Sequence, residues 1–168
     1  MNKPLMLIIN APVEGIKHSL EKYFELHHWG MFSNDSFATF VKKSIAEKHN
    51  YAIVLFHQQN AKNAVQELWS FFKYGLPLLA SNMQQTGGSI IVHLSWQQRE
   101  QSKDDFAAVV GLVRSTAIEG VKLGINLNLM STDTSQNLSQ ETTAELAQLV
   151  IEWANPAQRY ITSAIEIL

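Results

Sequence analysis

Leu5–Ile9 is an unbroken apolar run, the pattern of a strand covered on both faces. Similar runs recur at Tyr51–Phe56, Ser89–Leu94 and Ile125–Met130, and Tyr160–Leu168 reads as a last strand. Between the runs the apolar positions change to helical spacing. Ile16, Leu20, Tyr23, Phe24 and His27 mark a helix over Gly15–His28, followed by a short strand at Trp29–Phe32. Ser33, Asn34, Asp35 and Ser36 offer cap residues for a helix over Phe37–Lys48, with Phe37, Phe40, Val41 and Ile45 on one face. Val65, Leu68, Trp69, Phe72, Leu76 and Leu79 define a long helix, Ala64–Met83, which Pro77 should kink or break. Further helices are expected at Asp104–Val121 and Ser139–Ala154. Strand and helix alternate throughout. This predicts an α/β fold: a doubly wound, mostly parallel sheet of about six strands with helices on both faces.

Composition narrows the class. At 168 residues the chain is most simply one domain, with 46% hydrophobic and 17% charged residues, as expected of a globular protein. A net charge of −2 gives no basic field for nucleic acid. Cysteine is absent, which excludes disulfides and thiolate-held metal and fits a reducing, cytoplasmic location. Leu5–Ile9 is too short for a signal-peptide core, and no apolar stretch approaches the length of a membrane span.

Four segments carry a family likeness. NAPVEGIK, at 10–17, lies where a strand turns into the first helix. HNYAIVLFHQQ covers 49–59. GGSIIVHLSW runs from 87 to 96, and FAAVVGLVRSTAIEGVKLGINLNLMSTD from 106 to 133. Together they resemble the short-chain dehydrogenase/reductase family, whose corresponding patterns are T-G-x-x-x-G-I-G, D-x-L-V-N-N-A-G, S-I-I-V-N-I-S-S and K-A-A-V-x-G-L-T-R-S. Gly111, Leu112, Arg114, Ser115, Ala117, Glu119, Gly124, Ile125 and Asn128 fall in register in the last of these. Tyr160, Ile161 and Thr162 match the family's closing Y-I-T-G. The likeness covers the whole chain loosely and residues 87–133 well. It implies a Rossmann-like fold.

The family's chemistry is another matter. Its cofactor turn keeps only Gly15 and Ile16 here, with Ala11 at the first glycine and Lys17 at the last. Asn10, Gly15, Ile16 and Lys17 are therefore the candidate cofactor-binding residues. His57, Gln58 and Gln59 replace the Asn-Asn-Ala-Gly stretch, and Leu68 stands where the catalytic helix usually carries asparagine. Trp96 falls at the catalytic serine, and a one-residue slip brings Ser95 into that role. The alignment puts Ser102 at the catalytic tyrosine and Phe106 at the catalytic lysine. A competing register would use Lys103 as the lysine and Arg99 at the tyrosine position. Neither register supplies a phenol. The family's reaction needs one to protonate a carbonyl oxygen, with a lysine lowering its pKa. Thr132 and Asp133 replace the Pro-Gly that opens the substrate loop. The spacing between the first strand and Tyr51 leaves room for one strand–helix unit where the family has two, and the substrate lid is also missing.

The histidines at 18, 27, 28, 49, 57 and 93 have no acidic or cysteine companion at ligand spacing. They read as scattered surface or strand groups rather than a metal site. Trp69, Phe71, Phe72 and Tyr74 read as core or subunit interface. Small residues Ala107, Ala108, Gly111 and Ser115 suit close helix approach or packing on the sheet. The family dimerises through the helices equivalent to 64–83 and 104–121. The expectation is thus a single-domain pseudo-oxidoreductase, 1–168, without resident cofactor. It would act as a structural or regulatory subunit, either as a homodimer or paired with an active relative through those helices. The alternatives are an atypical NAD(P)-dependent carbonyl reductase and a small-ligand sensor using the cleft at the strand ends.

Overall fold

A computed structural model describes residues 3–10, 14–30, 33–58, 61–83, 87–96, 103–133, 139–155 and 165–167. Strands β1 (Leu5–Ile9), β2 (Glu25–Trp29), β3 (Tyr51–Gln58), β4 (Gly88–Trp96), β5 (Ile125–Asp133) and β6 (Ile165–Ile167) form one parallel sheet in the order β2-β1-β3-β4-β5-β6. The helices are α1 (Glu14–Leu20), α2 (Asn34–Ala46), α3 (Ala61–Ser70), α4 (Leu76–Met83), α5 (Lys103–Lys122) and α6 (Gln140–Ala154). This is the doubly wound α/β architecture expected from the strand–helix alternation. One strand, β2, lies beyond β1 and forms that edge of the sheet.

Alternation along the strands splits the core in two. Leu7, Ile9, Val54, Phe56, Ile90, Val92, Leu94, Leu127 and Leu129 face α2, α3, α4 and α5. Met6, Ile8, Ile53, Leu55, Ile91 and Met130 face α1 and α6. The connection from β4 to β5 through α5 and that from β5 to β6 through α6 step the same way along the sheet but cross on opposite faces. They therefore have opposite hands, so one of them departs from the usual right-handed rule.

Several boundaries differ from the sequence reading. The first helix ends at Leu20, and the chain enters β2 at Glu25 rather than continuing helically to His28. Phe24 is buried at the junction, and Tyr23 is half exposed. The apolar spacing that suggested one helix is shared between a short helix and an edge strand. In α2 the buried stripe is Phe37, Val41 and Ser44, whereas Ile45 is exposed, because steps of four and three carry the inner face to Ser44. The long helix over 64–83 is α3 and α4 joined by a π-turn, Phe71–Gly75, in which the Leu76 N–H donates to the Phe71 carbonyl. Pro77 has no N–H to give and its ring crowds the preceding turn, which accounts for the irregularity just before it. β5 runs on through Thr132 and Asp133. Of the last expected strand, 165–167 is paired with β5, and 160–164 lies outside the described residues.

Candidate functional site

In an open parallel sheet, ligands bind beyond the carboxyl ends of the strands, where the strand order reverses. Here the reversal falls between β1 and β3. Asn10 sits immediately after β1 with a left-handed backbone, φ 63°. Its N–H donates to the Trp29 carbonyl at 3.0 Å, and its side-chain Nδ2 donates to the His57 carbonyl at 2.8 Å. One residue thus ties together the ends of β2, β1 and β3. Asparagine tolerates the left-handed region better than most residues, and the short amide fits the cross-strand distance.

The other candidate cofactor residues lie apart in role. Gly15 abuts α6: a Cβ there would stand 2.6 Å from Thr143 Cγ2. Ile16 is fully buried in the core under α1 and α6. Lys17 is exposed, with Nζ 4.0 Å from Glu21 Oε1. Residues 11–13 of the turn lie outside the described residues. Gly15 and Ile16 are thereby accounted for by helix packing.

The family's catalytic positions fall on α3, β4 and α5, and some lie outside the described residues. Leu68 is fully buried in α3. Phe106 lies in the first turns of α5, half-buried against the larger core. Ser102 and Arg99 lie outside the described residues, and Lys103 opens α5. Ser95 is buried near the end of β4 on the α1/α6 face, and its hydroxyl has no hydrogen-bond partner.

The tertiary structure joins two histidines that looked scattered in the sequence. His57 on β3 and His93 on β4 stand opposite one another in register. Their Nδ1 atoms are 2.9 Å apart, and His93 Nε2 is 3.0 Å from Thr132 Oγ1 on β5. Both rings are buried, and His57 Nε2 has no partner. Burial pushes the His57 pKa down to about 4. It also holds His93 well below its ordinary value, with His57 adding to the effect. Both rings are therefore neutral at pH 7. The sequence did contain a signal: in each of two neighbouring strands a histidine follows a run of three or more apolar residues.

The remaining histidines are surface or edge groups. His27 Nδ1 lies 3.0 Å from the Tyr51 hydroxyl, and its ring meets His49 edge-on. Burial raises Tyr51 despite the opposing hydrogen bond from Ser44. Burial, then the charge of Lys17, lowers His28. Among the described residues no group of three histidine, aspartate or glutamate side chains is placed to hold a metal, nor is any helix long and apolar enough to cross a membrane.

A second feature lies on the opposite face. A groove of about 530 Å³ runs between α3–α4 and α5, lined by Trp69, Lys73, Leu76, Leu112, Ser115 and Glu119 among others. Trp69 and Tyr74 are half exposed beside it, and Lys73 Nζ lies over both rings at 4.5 and 5.1 Å. Phe71 and Phe72 are core, so the aromatic cluster divides between inside and outside. Ala107, Ala108, Gly111 and Ser115 face outward on α5 with Ile118 and Val121, rather than packing on the sheet.

No family model matches the chain, and no curated protein matches it significantly by sequence. Solved structures do match. An oxidoreductase of the short-chain dehydrogenase/reductase class from Brucella ovis superposes with a TM-score of 0.73 at 12% identity, covering 98% of this chain and 99% of that one. RhlG of Pseudomonas aeruginosa, in its NADP active-site complex, gives 0.73 at 14% identity over 100% and 95%. The NADH-dependent enoyl-[acyl-carrier-protein] reductase of Aquifex aeolicus gives 0.71 at 13% over 99% and 96%. The chain has the short-chain dehydrogenase/reductase fold. At such identities the likeness carries the fold and not the chemistry.

Proposed function

We propose that this protein is a cytoplasmic pseudo-oxidoreductase: a truncated, degenerate short-chain dehydrogenase/reductase that works as a structural or regulatory subunit. The observation that carries the reading is Phe106, whose ring packs on the core at the position where the family's lysine would serve cofactor and tyrosine. An apolar ring there supplies no charge and no proton path. Leu68 at the asparagine position supports the same conclusion, as does the Asn10 amide engaged with the His57 carbonyl. The groove between α3–α4 and α5, with half-exposed Trp69 and Tyr74 beside it and Ile118 and Val121 on α5, supports association there with a second copy or an active relative.

Calorimetric titration with NADPH and NADH tests the catalytic side. The expected result is no binding of either at millimolar concentration. Saturable micromolar binding would instead favour the alternative, an atypical NAD(P)-dependent reductase. Sedimentation of wild type and Trp69→Glu/Ile118→Glu tests the assembly side: a dimer that the charged variant converts to monomer is expected, and a wild-type monomer would leave pairing with a relative as the surviving form. A second reading, a small-ligand sensor, is favoured by the buried polar atoms without partners at the strand ends.

A further inference from the structure

The outer edge of the sheet carries an interaction surface of its own. β2 ends the strand order and, among the described residues, pairs with β1 alone. The Glu25 N–H donates to the Pro4 carbonyl, and the Trp29 carbonyl accepts from the Asn10 N–H. In a parallel ladder the N–H and C=O of one residue point to the same neighbouring strand, and successive residues alternate. Glu25, His27 and Trp29 therefore bond to β1, while Leu26 and His28 turn their N–H and C=O outward. Natural edges are commonly blunted by lysine, proline or a bulge. β2 has neither lysine nor proline, and its register with β1 runs unbroken from Leu5↔Glu25 to Ile9↔Trp29. Glu25 and His28 are exposed, and Leu26, His27 and Trp29 are half-buried.

The pattern of outward groups is self-complementary. A two-fold axis through His27 sets a second β2 antiparallel to the first. Leu26 then stands opposite the second copy's His28, and His28 opposite its Leu26. Each such pair exchanges both hydrogen bonds, so every outward N–H meets an outward C=O. A slip by two residues, which keeps the same faces together, leaves one outward residue of each strand with no strand residue opposite. The side chains agree with the unslipped register. On the α2 face Glu25 stands opposite Trp29, so no carboxylate faces another. It also lies diagonal to the second copy's His27, as well as 3.8 Å from its own His27 Nε2. On the other face His28 covers the half-buried Leu26. Complementary charge and hydrogen bonding thus identify the occupant as a second copy. One short strand pair buries less than the roughly 1,200 Å² of a stable interface, so the association is weak, with a Kd on the order of 100 µM.

We propose that the outer edge of β2 joins two copies of this chain by antiparallel pairing about His27, making one sheet continuous across both. The proposal does not rest on the subunit role, since no residue of β2 lines the groove between α3–α4 and α5.

The test uses the full chain carrying Trp69→Glu/Ile118→Glu, so that pairing at that groove cannot contribute. Amide hydrogen exchange at Leu26 and His28 is read by NMR at protein concentrations from about 10 µM to about 1 mM. It should slow about fourfold over that range. Adding His28→Pro removes an outward N–H and leaves the bonds to β1 in place, and it should abolish the concentration dependence at Leu26. A capped peptide of the sequence Glu-Leu-His-His-Trp gives a second probe that needs no further variant. At millimolar concentration it should protect both amides of the dilute protein, and the same peptide N-methylated at its second histidine should not. Exchange at Leu26 and His28 that is independent of concentration overturns the proposal, as does a concentration dependence that survives His28→Pro. Protection already complete in the dilute monomer overturns it as well, because a segment of the same chain would then cover the edge.

Discussion

The two faces of the sheet have been built to different rules. On the face under α2–α5, the buried strand positions are almost all apolar, with Gln58 and Ser131 the exceptions at the strand ends. On the face under α1 and α6, apolar residues fill the middle, but His57, Ser89, His93, Ser95, Asn126, Asn128 and Thr132 are buried there too. Apolar burial is tolerant of exchange, because dispersion and the hydrophobic effect depend on volume more than identity. Buried polar atoms are not, because each needs a partner in a fixed direction. The first face therefore holds the fold, and the second holds what is particular to this chain.

The comparison can be broken most forcefully on the apolar face. Phe71 is fully buried, with its ring centroid 4.6 Å from that of Phe56 and 6.1 Å from that of Phe37. Phe71→Ala should cost about 3–5 kcal/mol in urea unfolding. A loss under ~1 kcal/mol would mean that this face is loosely packed and the contrast misdrawn.

The polar face should respond to pH. His57 titrates near 6.5 when unfolded and near 4 when folded. Below pH 6.5 the unfolded chain takes up a proton that the folded chain refuses, so stability falls as pH drops from about 6.5 to 4. His57 alone should account for on the order of 3 kcal/mol of that fall, and His93 shifts the same way. Unfolding midpoints of wild type and a His57→Leu/His93→Leu variant across this range provide the check. Parallel pH curves for the two would show that the pair is not held neutral.

Asn10 links the two halves of the argument, since it pins β3 at His57. Asn10→Gly keeps the left-handed backbone but loses the side-chain hydrogen bond, an expected cost of about 1 kcal/mol. Asn10→Ala adds strain at φ 63° and should cost roughly 2 kcal/mol. Equal stability of the two variants would show that the backbone conformation is not constrained. The smallest effect is expected at the α1–α6 contact. Gly15→Ala places a methyl against Thr143 Cγ2 and should destabilise by about 1 kcal/mol after the gain in helix propensity. Thr143→Ser removes the opposing methyl, so the double variant should recover the loss in a thermal melt. No recovery would mean that the clash lies elsewhere.

Much of the fold was legible because buried parallel strands and amphipathic helices leave periodic signals. β1 was read to the residue, and α5 and α6 to within one residue at each end. The errors fell where burial is partial. The edge strand β2 has only one strand neighbour, so its apolar pattern is weak and merged with the preceding helix. Ser44 took an inward position that hydrophobicity alone assigned to Ile45. At the candidate site, the family likeness pointed to a degenerate cofactor turn; Asn10 there pins strands, Gly15 and Ile16 pack against α6 and the core, and Lys17 is exposed. The histidine pair was invisible as a pair because its members lie 36 residues apart and meet only through strand register.

The sequence by itself determined the alternation of strand and helix and the apolar core, since periodicity and residue identity are local properties. Only the tertiary structure decided that His57, His93 and Thr132 form one hydrogen-bonded chain, that Gly15 is held by Thr143, and that the small residues of α5 face outward. The physical reason is that hydrogen bonding and close packing depend on ångström-scale distances between segments. Those distances are set by sheet order and register, which no local pattern encodes.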